Sequence, residues 1–199
     1  MLRTGLGIGI VVLPLLLSGC GEDANSNKSS PLAEQSSAPA LNSYTITAGS
    51  AGPVQLGMPS SEILASMPGV AAGVELDGEG IEWMTLTLNG ETLMNVMLDK
   101  NTHAASLIRV LSPRFVTEQN VRVGENLQSA GEKLGGLTEI QWTEVESREF
   151  ATFTNAPASM VFQVISNDGT TAGVYSKGET STTIASASAT IHSIWLMTE

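Results

Sequence analysis

Cysteine occurs once in this chain of 199 residues, at Cys20, so no intramolecular disulfide can form and packing alone must hold the fold. Cations are also scarce. Nine Lys and Arg stand against twenty Asp and Glu, a formal net charge of −11. That balance argues against electrostatic binding to nucleic acid or to anionic lipid headgroups, because both would repel it. Histidine appears twice, at His103 and His192, in neither a His-x-x-x-His nor a His-Glu pairing, and no free Cys joins them, so no transition-metal ligand spacing exists. The catalytic signatures are missing too. There is no Gly-x-Ser-x-Gly elbow and no Ser-x-x-Lys, and the glycines follow neither the phosphate-loop nor the dinucleotide spacing. The sequence therefore predicts no enzyme, no cofactor and no metal. No segment is long and apolar enough to span a bilayer: the run Gly5 to Leu17 has thirteen residues, whereas a spanning helix needs about 20.

That short run acquires meaning from its flanks. Arg3 precedes it, and Leu17-Ser18-Gly19-Cys20 ends it. These residues resemble the lipobox of bacterial lipoproteins. The resemblance implies that Cys20 carries a diacylglycerol thioether, that residues 1–19 are a removed signal peptide, and that the new amino group is acylated. Only a thiol gives the thioether, and small neighbours let the processing enzymes reach the backbone. Loss of Arg3 leaves eight cations against twenty acids, a mature net charge of −12. In the resembled lipoproteins the residue after the cysteine helps sort between membranes. Gly21 there, with aspartate only at Asp23, implies a periplasm-facing outer-membrane anchor. Residues 20–43 read as the lipidated cysteine plus a flexible tether, because Ser, Ala, Asn and Pro dominate and no apolar period appears. Residues 44–199 then form a single domain.

Laid on itself at a shift of 67 residues, the domain matches without a gap. Val54-Gln55-Leu56-Gly57 falls on Val121-Arg122-Val123-Gly124, each reading as a short strand ended by its glycine, and Glu82-Trp83-Met84-Thr85-Leu86-Thr87 on Glu149-Phe150-Ala151-Thr152-Phe153-Thr154. The fold class expected is α+β: two tandem similar units, about 44–112 and 113–199, each a strand, a short helix and an antiparallel sheet. In the first unit Ser60 or Ser61 reads as the helix N-cap, and Ile63, Leu64 and Met67 as its apolar stripe, stopped by Pro68-Gly69. In the second, Leu127, Ala130 and Leu134 form the stripe and Gly135-Gly136 the stop. Asn89-Gly90 between two apolar runs signals a hairpin. Strands Ser106 to Leu111 and Ile191 to Met197 close the two units. About twenty extra residues, Thr170 to Ala189, precede the latter and read as an exposed loop or weak hairpin.

The charge clusters have bland readings. Glu144, Glu146 and Glu149 beside Arg148 could do acid–base work, but carboxylates on a solvated hairpin are common. Glu75, Asp77, Glu79 and Glu82 alternate with glycines in what reads as a solvated loop, and their register fails the calcium-loop pattern. Trp83, Trp142, Trp195, Phe150 and Phe153, like the methionines, read as core packing.

Longer stretches carry a resemblance. Gly52 to Ile63, Ile108 to Thr117 and Val121 to Gly124 look like uncharacterised outer-membrane lipoproteins of Gram-negative bacteria, in the domain-of-unknown-function family that includes the sigma-E-regulated lipoprotein. That resemblance implies location rather than mechanism. Leu56 to Ile63 is also similar to the helix start of the small lipoprotein of the β-barrel assembly machinery. The tandem layout is similar to β-lactamase inhibitory protein, although each unit here has one helix where those have two. The function expected is non-catalytic envelope maintenance through protein contacts. Its partners would be the membrane, through the lipid on Cys20, and an envelope protein, with no nucleic acid. The alternative is an acidic inhibitor of a basic enzyme such as lysozyme.

Overall fold

In the computed structural model the described residues are 44–198, apart from 79, 145 and 146. Their elements run β1 (Tyr44–Ile46), β2 (Ser50–Ala51), β3 (Val54–Gln55), α1 (Ser60–Ser66), β4 (Ala71–Leu76), β5 (Glu82–Leu88), β6 (Glu91–Leu98), β7 (Ala105–Val110), β8 (Phe115–Thr117), α2 (Leu127–Lys133), β9 (Leu137–Thr143), β10 (Arg148–Phe153), β11 (Met160–Ser166), β12 (Ser181–Thr182) and β13 (Ala189–Met197). Two sheets and two short helices make a mostly-β, α+β arrangement, with no closed barrel. The large sheet has nine strands in the order β12-β9-β10-β11-β13-β7-β6-β5-β4.

Local chemistry explains the joints. Asn89 and Gly90 take φ 52° and 83°, the doubly left-handed turn that matches strand twist and closes β5 onto β6. Gly57 and Gly124, at φ 81° and 84°, each turn the chain so that their N–H donates to a carbonyl of a distant strand, Ala105 O and Ile191 O, both at 2.8 Å. The α2 N-cap is Asn126, whose side chain accepts from the N–H groups of Gln128 and Ser129.

One face of the large sheet carries the core. Leu86, Met94, Val96, Ile108, Val110, Phe153, Phe162, Ile194 and Leu196 bury there with Ile63 and Met67 of α1, Leu127, Ala130 and Leu134 of α2, and Ile46, Val54 and Phe115 of the small sheet. That small sheet, ordered β3-β2-β1-β8, pairs Tyr44 in parallel with Phe115 and stacks their rings at 5.2 Å.

The structure corrects several sequence expectations. Instead of a separate sheet for each unit there is one continuous sheet, because β7 pairs antiparallel with β13. Neither Ser60 nor Ser61 caps α1: the N-cap is Pro59, with no side-chain hydrogen bond, and Ser60 is already helical. Leu64 is 44% exposed and leaves the apolar stripe to Ile63 and Met67. Val121–Val123 forms no strand. Only a bridge joins Arg122 to Val116, and the strand of that region is β8. The stretch read as a solvated acidic loop begins as β4, paired with β5 from Ala71↔Thr87 to Leu76↔Glu82.

Phe162→Ala empties a fully buried site and is expected to destabilise the domain by about 3–5 kcal/mol, whereas Leu64→Ala, at a half-solvated position, changes stability by less than about 0.5 kcal/mol. Urea titration of the two variants measures both.

Candidate functional site

The face of the large sheet opposite the core is not bare. Parity sends Trp83 (β5), Asn95 and Met97 (β6), Arg109 (β7), Phe150 (β10), Val161 and Gln163 (β11), and Ser193, Trp195 and Met197 (β13) to that side. Arg109 lies 4.6 Å from the Trp83 ring centre and 5.6 Å from that of Trp195, and Arg148 lies 5.9 Å from Trp195. Trp83 and Phe150 both meet Trp195 edge-on, at 6.0 and 5.2 Å. The polar edges are matched: Trp195 Nε1 donates to Ser193 Oγ, which donates to Gln163 Oε1, and Trp83 Nε1 donates to Asp77 Oδ2. Trp83 and Trp195 are only 3% and 6% exposed. The cluster therefore closes on itself as a second small core, with two guanidinium groups laid on indole faces. His192 stands in the same field. Partial desolvation, then Arg109 and Arg148, push its pKa below the ordinary value.

The predicted acidic residues do not converge. Glu144 is exposed at a turn, and Glu146 and Glu79 lie outside the described residues, as does Cys20. Glu149 is buried. Its carboxylate accepts from the N–H of Ala172 at 2.6 Å, the N–H of Gly173 at 2.7 Å and the hydroxyl of Tyr175 at 2.8 Å. Burial, then the hydrogen bond to Glu149, raise the Tyr175 pKa well above its usual value, so Tyr175 stays a donor. Glu149 is therefore a latch that ties the 170–185 segment to the sheet. That segment is neither wholly exposed nor empty of buried groups, since Ala172 is 0% exposed and β12 pairs with β9. Asp168 braces its root, accepting from Ser166, Thr170 and Ser188, which together hold its carboxyl far below the usual range. Among the described residues no group of three His, Asp or Glu side chains could hold a metal ion.

The two ends of the large sheet differ. At one end β9 is covered by β12, with Ser181 opposite Gln141, Thr182 opposite Ile140, and Trp142 N–H donating to Thr180 O at 2.7 Å. At the other, all six residues of β4 are exposed. Val74 is 67% and Leu76 70% exposed, with Leu64 and Ile81 also open. Between β4 and α1 lies a cleft of about 360 Å³ lined by Leu64, Ala72, Val74, Met84 and Leu98, with Glu82 at its edge. Sequence reasoning missed this site because Glu75 to Glu82 reads as a solvated loop and Ala71–Val74 carries no strand reading. The signal available was the apolar Val74-x-Leu76 alternation beside the acids.

No family model and no curated protein matches the chain. Among solved structures it is similar to the uncharacterized protein YfeY from Escherichia coli, with a TM-score of 0.54 and 10% sequence identity, covering 78% of this chain and 99% of that one. At that identity the likeness concerns the fold.

Glu149→Ala strands two buried N–H groups and a hydroxyl, and is expected to cost at least about 1–3 kcal/mol while releasing the 170–185 segment first. Hydrogen exchange should quicken at Ala172 and Gly173 before it does in β7 or β13. For His192, the folded pKa lies below the unfolded value of 6.5, so its contribution is complete above 6.5 and is lost as pH falls from there through the folded value. Thermal melts from pH 7.5 to 5 should lose stability in wild type, and His192→Gln should flatten that loss.

Proposed function

We propose that this protein is a non-catalytic lipoprotein, anchored through Cys20 in the outer membrane and facing the periplasm, that serves the envelope through protein contacts. The observation that carries the anchor is Leu17-Ser18-Gly19-Cys20 after a thirteen-residue apolar run. Supporting it, no helix among the described residues is long and apolar enough to cross a membrane. Protein contact as the mode of action is supported by the exposed edge at β4. A non-catalytic role is supported by Glu149, the best-placed candidate acid, being occupied as a latch. The resemblance to the family of the sigma-E-regulated lipoprotein points the same way.

The same reading includes a tandem duplication. Its support is a set of matched spacings. Met84 pairs with Val74 and Val96, and Ala151 pairs with Ile140 and Phe162, so three core-facing partners recur 66 or 67 residues apart. The helices start at Ser60 and Leu127, 67 apart. Ala105 N–H donates to Met58 O, and Ile191 N–H to Glu125 O. Across the seam, Val110 pairs with Ile194 and Ile108 with Leu196, the reciprocal pattern of two like strands.

A second reading is favoured by charge. At a mature net charge of −12, the domain would steer a basic enzyme such as lysozyme, and that complex would weaken steeply with salt.

Two measurements test the proposal. Labelled palmitate should enter the wild-type protein and not Cys20→Ser. Crosslinking in intact envelopes should recover a specific envelope protein that Cys20→Ser fails to recover. Recovery of nothing specific, or of the same set from both, overturns it.

A further inference from the structure

The second half of the domain carries its own demonstration of what a sheet edge here accepts. Between β6 and β7 the chain uses six residues, 99–104, whereas between β11 and β13 it uses 22, residues 167–188. The longer connection returns to the sheet as β12, pairs with Ile140 and Gln141 of β9, and continues as Thr183 to Ser186 along a cleft beside α2. That cleft is lined by Leu127, Gln128 and Gly131 of α2. The cleft beside α1 is lined by Ser60, Ser61 and Leu64, the same helical positions 67 residues earlier. Ile140 corresponds to Val74 by the core pairings described above. So β4 and the α1 cleft have the form of a seat that the short 99–104 connection cannot fill.

An antiparallel ladder directs half the N–H and C=O groups of an outer strand away from its partner. On β4 those groups have no strand beside them among the described residues, and the side chains next to them are apolar. Such an edge is a template for strand addition, in which backbone bonds give affinity and alternate side chains give specificity. Charge indicates the occupant. Glu75 stands exposed on β4 itself and Glu82 lines the cleft, while Lys100 and His103 lie beyond Leu76 around a second cleft that also holds Asp99 and Glu82. A second copy would bring Glu75 toward Glu75 and join two chains of the same strong negative charge.

We propose that β4 is a docking edge for an extended segment of a partner protein, pairing at Val74–Glu75, carrying apolar residues toward the α1 cleft and basic residues toward Glu75 on the opposite face. The inference rests on the duplicated-unit reading for the position of that strand.

The probe is a synthetic seven-residue peptide of alternating lysine and valine, with alternating glutamate and valine as control. It is added to the full chain carrying Cys20→Ser, and amide hydrogen exchange is followed residue by residue. Slowed exchange within residues 71–76, with the lysine peptide only and weakening with added salt, is the expected result. Val74→Glu should weaken binding about tenfold or more, with exchange in β6 and β7 unchanged, while Val74→Thr retains it. No protection of 71–76, protection confined to the Trp83–Trp195 face, or equal effect of the glutamate peptide overturns the proposal. So does protection, before peptide is added, of the β4 N–H groups that face away from β5, whether it depends on protein concentration (a second copy) or not (another segment of this chain). Thr182→Pro, which loosens β12 from β9, separates the two readings: peptide protection at 140–142 in that variant tests the unit equivalence. Protection at 71–76 without it removes the duplication and leaves the edge standing.

Discussion

The pairing of β7 with β13 is the constraint on which the rest of this domain depends. Strands β4 to β7 form one antiparallel meander, while β9, β10, β11 and β13 form the other. Four strands can stand alone only if a buried face covers them, and neither helix is long enough to do so. Joining at the seam gives one nine-stranded surface, and a single core then serves both helices and the small sheet. The seam also explains the outer cluster. Trp195 sits directly opposite Arg109 across the seam, and Trp83 and Phe150 reach Trp195 from either side. Two guanidinium groups held against indole faces suit a seam between polar-faced strands. The aromatic surface is covered without a third layer, by cations that are themselves only partly buried.

What the sequence disclosed was governed by local rules. The Asn89-Gly90 hairpin, the stop at Gly135-Gly136 and the apolar positions of α2 were legible because a turn or a helical stripe needs only its own residues. The long strands β5, β6, β7, β11 and β13 were legible because their alternation faces one core. Elements that exist for non-local reasons were not. Of the small sheet only β3 was legible, as the β-branched run before Gly57; β1, β2 and β8 depend on long-range pairing, such as Tyr44 with Phe115, 71 positions away, and have no periodicity to read. The strand β4 contains Ala71, Ala72 and Gly73, residues that favour strands poorly, and owes its form to the ladder of β5. Of the candidate site, the charges were visible and the apolar edge between them was not.

Glu149 teaches a narrower lesson. A carboxylate in a Glu-rich stretch reads as solvated, yet its parity matches Ala151 and Phe153, both in the core. Strand alternation had already assigned it to the buried side. Such a group is tolerated only with acceptor capacity filled, and the two backbone N–H groups and Tyr175 supply that. Glu82, its counterpart in the proposed first unit, stays exposed, because no segment comes back to bury it. The latch and the extra segment are one device.

An uncovered edge strand is a hazard that natural sheets blunt with charge, brevity or a covering element. Here one edge has the covering element and the other does not. β4 is six residues long, holds a single charge and shows Val74 and Leu76 to solvent. Self-pairing is opposed instead by the whole molecule, since two chains at a formal net charge of −11 repel before their edges meet. The same field discriminates by sign. It rejects acidic or identical edges and draws in basic ones, so a strand left bare is guarded without being closed. Covering β4 in the way β9 is covered would remove the hazard at the cost of sixteen residues, as the chain's own second half demonstrates with 22 residues against six. Retaining the bare edge beside a fitted cleft is what a binding surface requires, and it is where the asymmetry of this otherwise balanced sheet is concentrated.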